Sequence, residues 1–138
     1  MHHDKQIREV MSSDLTTVEP GASIQDAARR MRSEDVGALP IVEGDRLVGM
    51  ITDRDITIRA VAEGNLDATV ADIASKDIVS IDPQQTLEEA ARLMAEHQLR
   101  RLPVCEEDGR LVGILAQADV ATTGHDSLTG EVVEEISR

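Results

Sequence analysis

The sequence contains no phenylalanine, tyrosine or tryptophan, and it has a single cysteine, Cys105. Without aromatic rings the chain cannot stack on a base or a sugar, so any bound ring has to lie against aliphatic side chains and backbone. A lone cysteine forms neither an intramolecular disulfide nor a metal site by itself. Because Cys105 lies in an apolar strand pattern, we predict a packed thiol rather than a reactive one.

Long apolar runs are also missing. No segment reaches the roughly 18 apolar residues of a membrane span, and residues 1–5 lack the apolar core of a signal peptide. Of the 138 residues, 41% are hydrophobic and 30% are charged. This composition predicts one compact, soluble protein, and we expect it in the cytoplasm.

Positive charge is scarce, since the formal net charge is -13 at pH 7 and lysine is almost absent. Nucleic acids and anionic membranes are bound through basic surfaces, so we expect neither as a partner. Arginine supplies most of the positive charge and would have to hold any phosphate locally. The histidines are scattered at positions 2, 3, 97 and 125. No nucleophile has a base at a readable spacing, so we expect no enzyme, no catalytic residue and no metal site.

What the chain does contain is an internal repeat. Thr17-Val18-Glu19-Pro20 returns as Ser80-Ile81-Asp82-Pro83 at an offset of 63, and Leu39-Pro40 returns as Leu102-Pro103. After one extra residue in the second copy the offset becomes 64, so that Asp55 corresponds to Asp119. We therefore predict two copies of one supersecondary unit, each too small to bury its apolar face alone.

Each copy predicts the same order of elements. Apolar residues at i, i+3, i+4 and i+7 predict an amphipathic helix after Ser23 and another after Thr86, and both residues are suitable N-caps. A β-hairpin is predicted after each helix, over residues 38–51 and 102–115. In the first copy a second helix runs from Asp53 to about Glu63, with Gly64 as its C-terminal stop. The predicted fold class is mixed, α+β or α/β.

The junction between the first hairpin and its second helix, Gly49-Met50-Ile51-Thr52-Asp53-Arg54-Asp55, has two interpretations. Thr52 and Asp55 are three residues apart, so both project from one face of the nascent helix. At a helix N-terminus the hydroxyl can bind a phosphate oxygen, and the carboxylate can accept both hydroxyls of a ribose diol. The alternative is an N-cap, in which Thr52 or Asp53 satisfies the free amides of the first turn.

The doubled unit has Leu-Pro-Ile-Val or Leu-Pro-Val-Cys before the hairpin turn and Gly-apolar-apolar-Thr-x-x-Asp after it. It resembles a tandem pair of cystathionine-β-synthase (CBS) domains, a Bateman module, and is similar to the small stand-alone CBS-pair proteins of actinobacteria. The resemblance implies two β-α-β-β-α repeats with pseudo-two-fold symmetry, at residues 7–64 and 70–124, followed by an acidic tail at 125–138. It also implies that two such modules often associate as a dimer.

The resemblance further implies an adenosine-containing ligand, such as AMP, ADP, ATP or S-adenosylmethionine, in the cleft between the repeats. Thr52 would contact the phosphate, together with Arg100 and Arg101 of the opposite repeat. Asp55 would contact the ribose. The remaining residues of this predicted site are Asp53, Arg54, Ile78, Val79, Ser80 and Pro103, with residues 78–80 beside the base. The Arg54 side chain has three alternative roles: it contacts the ligand, it forms an ion pair with Asp53 or Asp55, or it faces a dimer partner. No cofactor is required, we favour AMP or ADP, and Mg²⁺ is expected only with ATP.

The mirror-related second cleft carries fewer phosphate-binding groups. There Asp119 would face Gly37 and Ala38, while Ala116 and Gln117 replace Thr52 and Asp53. Two charge-assisted hydrogen bonds contribute on the order of 1.5–3 kcal/mol each, so their loss weakens binding at least about a hundredfold. We predict one phosphorylated nucleotide per chain, with the second cleft empty or suited to a neutral adenosyl group.

Two functions therefore remain open. The first is a regulatory sensor of an adenine nucleotide, with energy sensing or a stress response as its setting, and the second is a ligand-free dimeric adaptor that binds a protein partner. The intact Thr52 and Asp55 pair and the two arginines favour the sensor. The acidic tail is either a short helix that docks on a partner subunit through Val132, Val133 and Ile136 or a frayed end.

Overall fold

A computed structural model of the chain describes residues 5–123, and the side chains of residues 5–120. Packing divides these residues into two units. We call Thr16–Ile78 the continuous unit, and residues 5–15 together with 79–123 the divided unit. The predicted acidic tail lies outside the described residues.

Both units mix helices with a small antiparallel sheet, as predicted. The continuous unit contains α1 (Ile24–Glu34), β1 (Ala38–Glu43), β2 (Arg46–Thr52), α2 (Asp53–Asp55), which continues as a π turn (Ile56–Val61), and α3 (Val70–Ile73). The divided unit contains a 3₁₀ turn (Ile7–Glu9), α4 (Leu87–His97), β3 (Arg101–Cys105), β4 (Leu111–Ala116) and α5 (Gln117–Thr123). No helix among residues 5–123 is long and apolar enough to cross a membrane.

The predicted N-caps of the two long helices are confirmed. Ser23 Oγ accepts a hydrogen bond of 3.0 Å from the amide of Asp26 at the start of α1. At the start of α4, Thr86 Oγ1 accepts from the amide of Glu89 at 3.2 Å, and Glu89 Oε1 accepts from the amide of Thr86 at 3.0 Å. That backbone hydrogen bond, followed by one from the Gln85 side chain, holds the pKa of Glu89 below its ordinary value. The helix starts are therefore determined by local side chains.

Each hairpin is widened on both sides by a single bridging residue. β1 pairs with β2 and β3 pairs with β4, both antiparallel. In the continuous unit Val18 adds a parallel bridge to β1, and Ser75 adds an antiparallel bridge to β2. In the divided unit Ile81 and Ser12 occupy the same two places beside β3 and β4. The two repeats therefore have the same local pairing pattern.

Each unit is completed by a segment that belongs, in sequence, to the start of the other repeat. Residues 5–12 belong to the divided unit, where the Ile7 amide donates to the Gln85 carbonyl at 2.9 Å and the Ile7 side chain is 0% exposed. The offset of 63 relates Ile7 to Val70, whose amide donates to the Ala22 carbonyl of the continuous unit at 2.9 Å. The packing units therefore differ in their boundaries from the sequence repeats at 7–64 and 70–124.

A glycine in each hairpin makes room for this incoming segment. A Cβ atom at Gly49 would lie 3.3 Å from the carbonyl oxygen of Ser75, and one at Gly113 would lie 3.1 Å from that of Ser12 and also meet the Met11 sulfur. These spacings are tighter than ordinary van der Waals contacts. Because Gly49 and Gly113 correspond in the repeat, the same close approach explains both.

The helix after β2 differs from the prediction. It begins at Asp53 as expected, but it widens into the π turn and ends at Val61 rather than near Glu63. Gly64 follows with a positive φ of 68°, which suits its predicted role as a stop. The polar residues 65–69 that follow this glycine contribute Ala68 to the core of the continuous unit.

Candidate functional site

Thr52 and Asp55 form a reciprocal capping box where β2 passes into α2. Thr52 Oγ1 accepts a hydrogen bond of 3.0 Å from the Asp55 amide, and Asp55 Oδ2 accepts one of 3.0 Å from the Thr52 amide. Of the two predicted capping residues, Thr52 is therefore the N-cap, and Asp53 is the first residue of the helix. The Thr52 hydroxyl is an acceptor in this box, so its own hydrogen can still be donated to another acceptor.

The second oxygen of Asp55 faces Arg59. Asp55 Oδ1 lies 4.0 Å from Arg59 Nε, and the Asp55 side chain is 14% exposed. Because Oδ2 is used by the capping box, Oδ1 is the oxygen that can accept from a ligand hydroxyl. Sequence reasoning missed Arg59, although its i, i+4 spacing from Asp55 is a recognised signal for an ion pair on one helix face.

Asp53 and Arg54 both have exposed side chains. The Asp53 amide donates to the Gly37 carbonyl at 2.9 Å, and a Cβ atom at Gly37 would lie 3.1 Å from Asp53 Oδ2. Gly37, followed by Ala38 at the start of β1, is thus a neighbour of Asp53 within the continuous unit. Of the alternatives for Arg54, the ion pair is not formed among the described residues, with either Asp53 or Asp55.

Arg100 and Arg101 lie at the corresponding place in the divided unit. The Arg100 carbonyl accepts a hydrogen bond of 2.7 Å from the Gln117 amide, and Arg101 pairs with Ala116 at the start of β3. Both side chains are exposed. Neither guanidinium forms an ion pair with a carboxylate of the residues that the structure describes. Two adjacent positive charges are thus available on this unit.

Asp119 repeats the capping role of Asp55 beside an alanine, because Ala116 stands where the first repeat has Thr52. Its Oδ2 accepts a hydrogen bond of 2.8 Å from the Ala116 amide, as Asp55 does from Thr52. Ala116 has no side-chain oxygen to accept in return. The repeated aspartate is therefore a helix cap in both units, and the N-cap hydroxyl of the continuous unit is replaced by an alanine methyl group in the divided unit. How Asp119 is placed relative to Gly37 and Ala38 stays a prediction.

The predicted base-binding segment spans the boundary between the units. Ile78 ends the continuous unit, while Val79 begins the divided unit and packs on its core. The Ser80 side chain hydrogen-bonds to the Cys105 thiol, and burial raises the pKa of that thiol more than this hydrogen bond lowers it. Cys105 is thus buried, as predicted, and unsuited to act as a nucleophile.

Pro103 is buried in β3. Its carbonyl accepts a hydrogen bond of 3.1 Å from the Ile81 amide. The ring of Pro103 therefore belongs to the packed sheet of the divided unit.

An open cavity of about 480 Å³ in the divided unit contains none of the predicted ligand residues. Its lining consists of Asp82, Gln84, Glu106, Glu107, Asp108 and Arg110. Four carboxylates around one guanidinium repel an anion such as a phosphate. The size of this cavity is therefore no indication of the nucleotide site.

Comparison with known proteins agrees with the repeated architecture. A model of the CBS domain family matches the chain twice, at residues 7–61 and 70–125. The chain is 44% identical over 116 residues to the CBS domain-containing protein YhcV of Bacillus subtilis, covering 83% of this chain and 82% of YhcV. It is 44% identical over 118 residues to hypoxic response protein 1 of Mycobacterium tuberculosis, covering 83% of this chain and 81% of that protein.

Solved structures show the same fold. The structure of hypoxic response protein I, which holds two coordinated zinc ions, superposes with a TM-score of 0.77 at 41% identity over 86% of this chain and 98% of that one. The structure of CBSX2 in complex with AMP has a TM-score of 0.76 and 28% sequence identity, and the match covers 86% of this chain and 95% of that one. The CBS domain pair of MJ0100 was solved in complex with 5'-methylthioadenosine and S-adenosylmethionine. It has a TM-score of 0.75 and 25% sequence identity, and the match covers 86% of this chain and 94% of that one.

The residue types that commonly bind metal ions lie apart in the described part of this chain. Within it, no three histidine, cysteine or carboxylate side chains come together as metal ligands. Both halves of the chain instead match one domain family, and the relatives are matched over most of their length. The chain therefore belongs to the CBS domain family, as a tandem pair of CBS domains.

Proposed function

We propose that this protein is a non-enzymatic regulatory sensor that binds an adenine nucleotide, with AMP or ADP as the favoured ligand. Thr52 and Asp55 of the continuous unit and Arg100 and Arg101 of the divided unit contribute to one phosphorylated-nucleotide site per chain. The site beside Asp119 is empty or takes a neutral adenosyl group.

The observation that carries the proposal is the pair of exposed guanidinium groups at Arg100 and Arg101. The chain holds 27 acidic residues and 14 arginine and lysine residues, so carboxylates greatly outnumber positive charges. Even so, neither arginine forms an ion pair with the described carboxylates. Adjacent arginines that form no ion pair with the described carboxylates of so acidic a chain are suited to an external phosphate, which they bind in a forked geometry.

The continuous unit supplies the groups that suit the rest of a nucleotide. The Thr52 hydroxyl can donate its hydrogen to a phosphate oxygen, and Asp55 Oδ1 can accept from the ribose hydroxyls while Oδ2 remains in the capping box. Because the chain has no aromatic residue, the base has to lie against aliphatic groups, for which half-buried Ile78 and Val79 are suited.

Solved relatives support the class of ligand. CBSX2 was crystallised with AMP, and the MJ0100 pair with two adenosyl compounds. A ligand of this class regulates only to the extent that it binds one conformation of the protein better than another. We propose that nucleotide binding shifts such an equilibrium, in an energy or stress response, and that a protein partner detects the shift.

The test uses the absence of aromatic residues. Purified, desalted protein should be nearly dark in the near ultraviolet, so a co-purified nucleotide is expected to appear as an absorbance band near ~260 nm that the bare chain cannot produce. After denaturation the band should pass into the filtrate, where mass spectrometry identifies it. Added AMP or ADP should then raise the melting temperature of the stripped protein, because a ligand that binds only the folded state stabilises it.

A dark spectrum, combined with no thermal shift from AMP, ADP, ATP or S-adenosylmethionine, would contradict the proposal. It would favour the ligand-free adaptor. A shift that is produced by ATP with Mg²⁺, and not by AMP or ADP with Mg²⁺, would instead identify ATP as the ligand.

We also propose that two copies of the chain associate through the π turn. Ile58 is 47% exposed and Val61 is 56% exposed, whereas their counterparts at the offset of 64 are Thr122 and His125. Ile58→Glu is expected to place a charge in this apolar contact and to halve the mass measured by light scattering. Gln84→Glu adds the same charge on the divided unit and should leave the mass unchanged. Equal masses for Ile58→Glu and the wild type would rule out this interface.

A further inference from the structure

The Arg59 guanidinium contacts two separate parts of the continuous unit. Its Nε lies 4.0 Å from Asp55 Oδ1, and its Nη1 donates a hydrogen bond of 3.2 Å to the carbonyl oxygen of Ile73. Asp55 is the carboxylate proposed for the ribose, and Ile73 is the last residue of α3. One side chain therefore touches both the proposed ligand group and a segment 14 residues further along the chain.

The segment that begins at Ile73 leads out of the continuous unit. Ser75 is held on β2 by two backbone hydrogen bonds with Met50, each of 3.1 Å, and the unit ends at Ile78. We call residues 73–78 the connecting segment. Since Met50 lies two residues before Thr52, the strand that carries the connecting segment also leads directly into the capping box.

The chemistry of arginine suits this double contact. Its planar guanidinium has five N–H donors in a fixed fork, so it can face a carboxylate with one nitrogen and a carbonyl with another. A carbonyl at the end of a helix has no partner within the helix and commonly accepts from a basic side chain. The Arg59 side chain is 57% exposed, so its replacement leaves the core of the unit intact.

We propose that Arg59 is a positioning residue that couples the Asp55 carboxylate to the connecting segment, so that a diol bound at Asp55 stabilises the segment joining the two repeats. The coupling to a ligand rests on the proposed function, whereas the Arg59 bridge itself does not. A ligand that binds more tightly when Arg59 holds the Asp55 carboxylate also favours the conformation in which Ile73 is held.

The bridge is tested first without nucleotide, by NMR hydrogen exchange of the Ala74 and Ser75 amides. These amides donate to the Val70 and Met50 carbonyls, so their exchange reports opening of the connecting segment. Arg59→Gln is expected to speed their exchange about fivefold or more. Arg59→Lys keeps the charge but lacks the fork, so it should restore only part of the protection. Arg32→Gln, an exposed site on α1, is the matched control and should exchange as the wild type does.

The coupling is tested by repeating the measurement with saturating AMP. Nucleotide should slow exchange at Ala74 and Ser75 in the wild type and in Arg32→Gln, and this slowing should be lost in Arg59→Gln even where that variant is saturated. Retained binding with lost protection is a result that a purely structural role for Arg59 does not produce.

The outcomes separate the two proposals. If the wild type binds no adenine nucleotide, the proposed function fails while the exchange of the ligand-free variants still decides the bridge. Unchanged exchange in Arg59→Gln without ligand overturns the bridge, whatever the wild type binds. If AMP slows exchange equally in the wild type and Arg59→Gln, the bridge is structural only and the coupling is wrong.

Discussion

Replacing Ile7 by alanine is expected to lower the free energy of unfolding by about 2–5 kcal/mol, the range found for fully buried aliphatic residues. Ile7 is 0% exposed and belongs to the same core cluster as Leu87, Leu102 and Leu115. The alanine would leave a cavity among side chains that come from the far end of the sequence. Denaturant unfolding followed by far-ultraviolet circular dichroism measures the change, since the chain has no aromatic signal.

Leu66→Ala is the matched control for this experiment. Leu66 is 61% exposed, so its truncation is expected to change stability by less than about 0.5 kcal/mol. If Ile7→Ala were no more destabilising than Leu66→Ala, residues 5–12 would not be part of the core of the divided unit. The pairing of Ser12 with β4 would then be in doubt as well.

Replacing Arg100 and Arg101 together by glutamine is expected to weaken AMP binding at least about a hundredfold. The two exposed guanidinium groups carry the proposed phosphate contact, and two charge-assisted hydrogen bonds are lost with them. Isothermal titration calorimetry measures the change in affinity. The arginines are better targets than Thr52, because removal of the Thr52 hydroxyl also breaks the capping box, which stabilises the helix by about 1 kcal/mol.

The control for the arginine pair removes the same charge elsewhere. Arg92→Gln combined with Arg110→Gln changes two exposed arginines of the divided unit, neither of which belongs to the proposed site. The dissociation constant of this variant for AMP should stay within about threefold of the wild-type value. Any remaining change would come from long-range electrostatics, which salt screens. An equal loss in both double variants would show that net charge, and not a contact at Arg100 and Arg101, governs binding.

Local signals in the sequence predicted much of the fold. Ser23 and Thr86 cap their helices as expected, because an N-cap depends only on residues within one turn. The hairpins were placed within a residue of their observed ends, since alternating apolar residues and a turn glycine are also local signals. The repeat itself predicted that both units would be built alike.

What the sequence did not predict depends on contacts between distant residues. The offset of 63 relates Ile7 to Val70, but no pattern within residues 5–12 indicates that they pack on the second repeat. The π turn at Ile56–Val61 likewise has no local signal, since its residues resemble those of an ordinary helix. At the candidate site, the sequence left Thr52 with two possible roles, as a phosphate ligand or as an N-cap. The structure shows that its hydroxyl oxygen accepts the capping hydrogen bond from the Asp55 amide.

Because residues 5–12 pack in the divided unit, the chain cannot complete its two units in the order in which their residues are synthesised. All residues of the continuous unit have been made once Ile78 leaves the ribosome, so this unit can fold early. Ile7 is made before it, yet its core partner Leu115 follows roughly 100 residues later. At about 5–20 residues per second this interval is roughly 5–20 s. The 37 residues from Ile78 to Leu115 account for roughly 2–7 s of it. For this last part of the interval Ile7, Val10 and Met11 lack their core partners while the continuous unit is already complete, so we expect residues 5–12 to be a binding site for chaperones on the nascent chain.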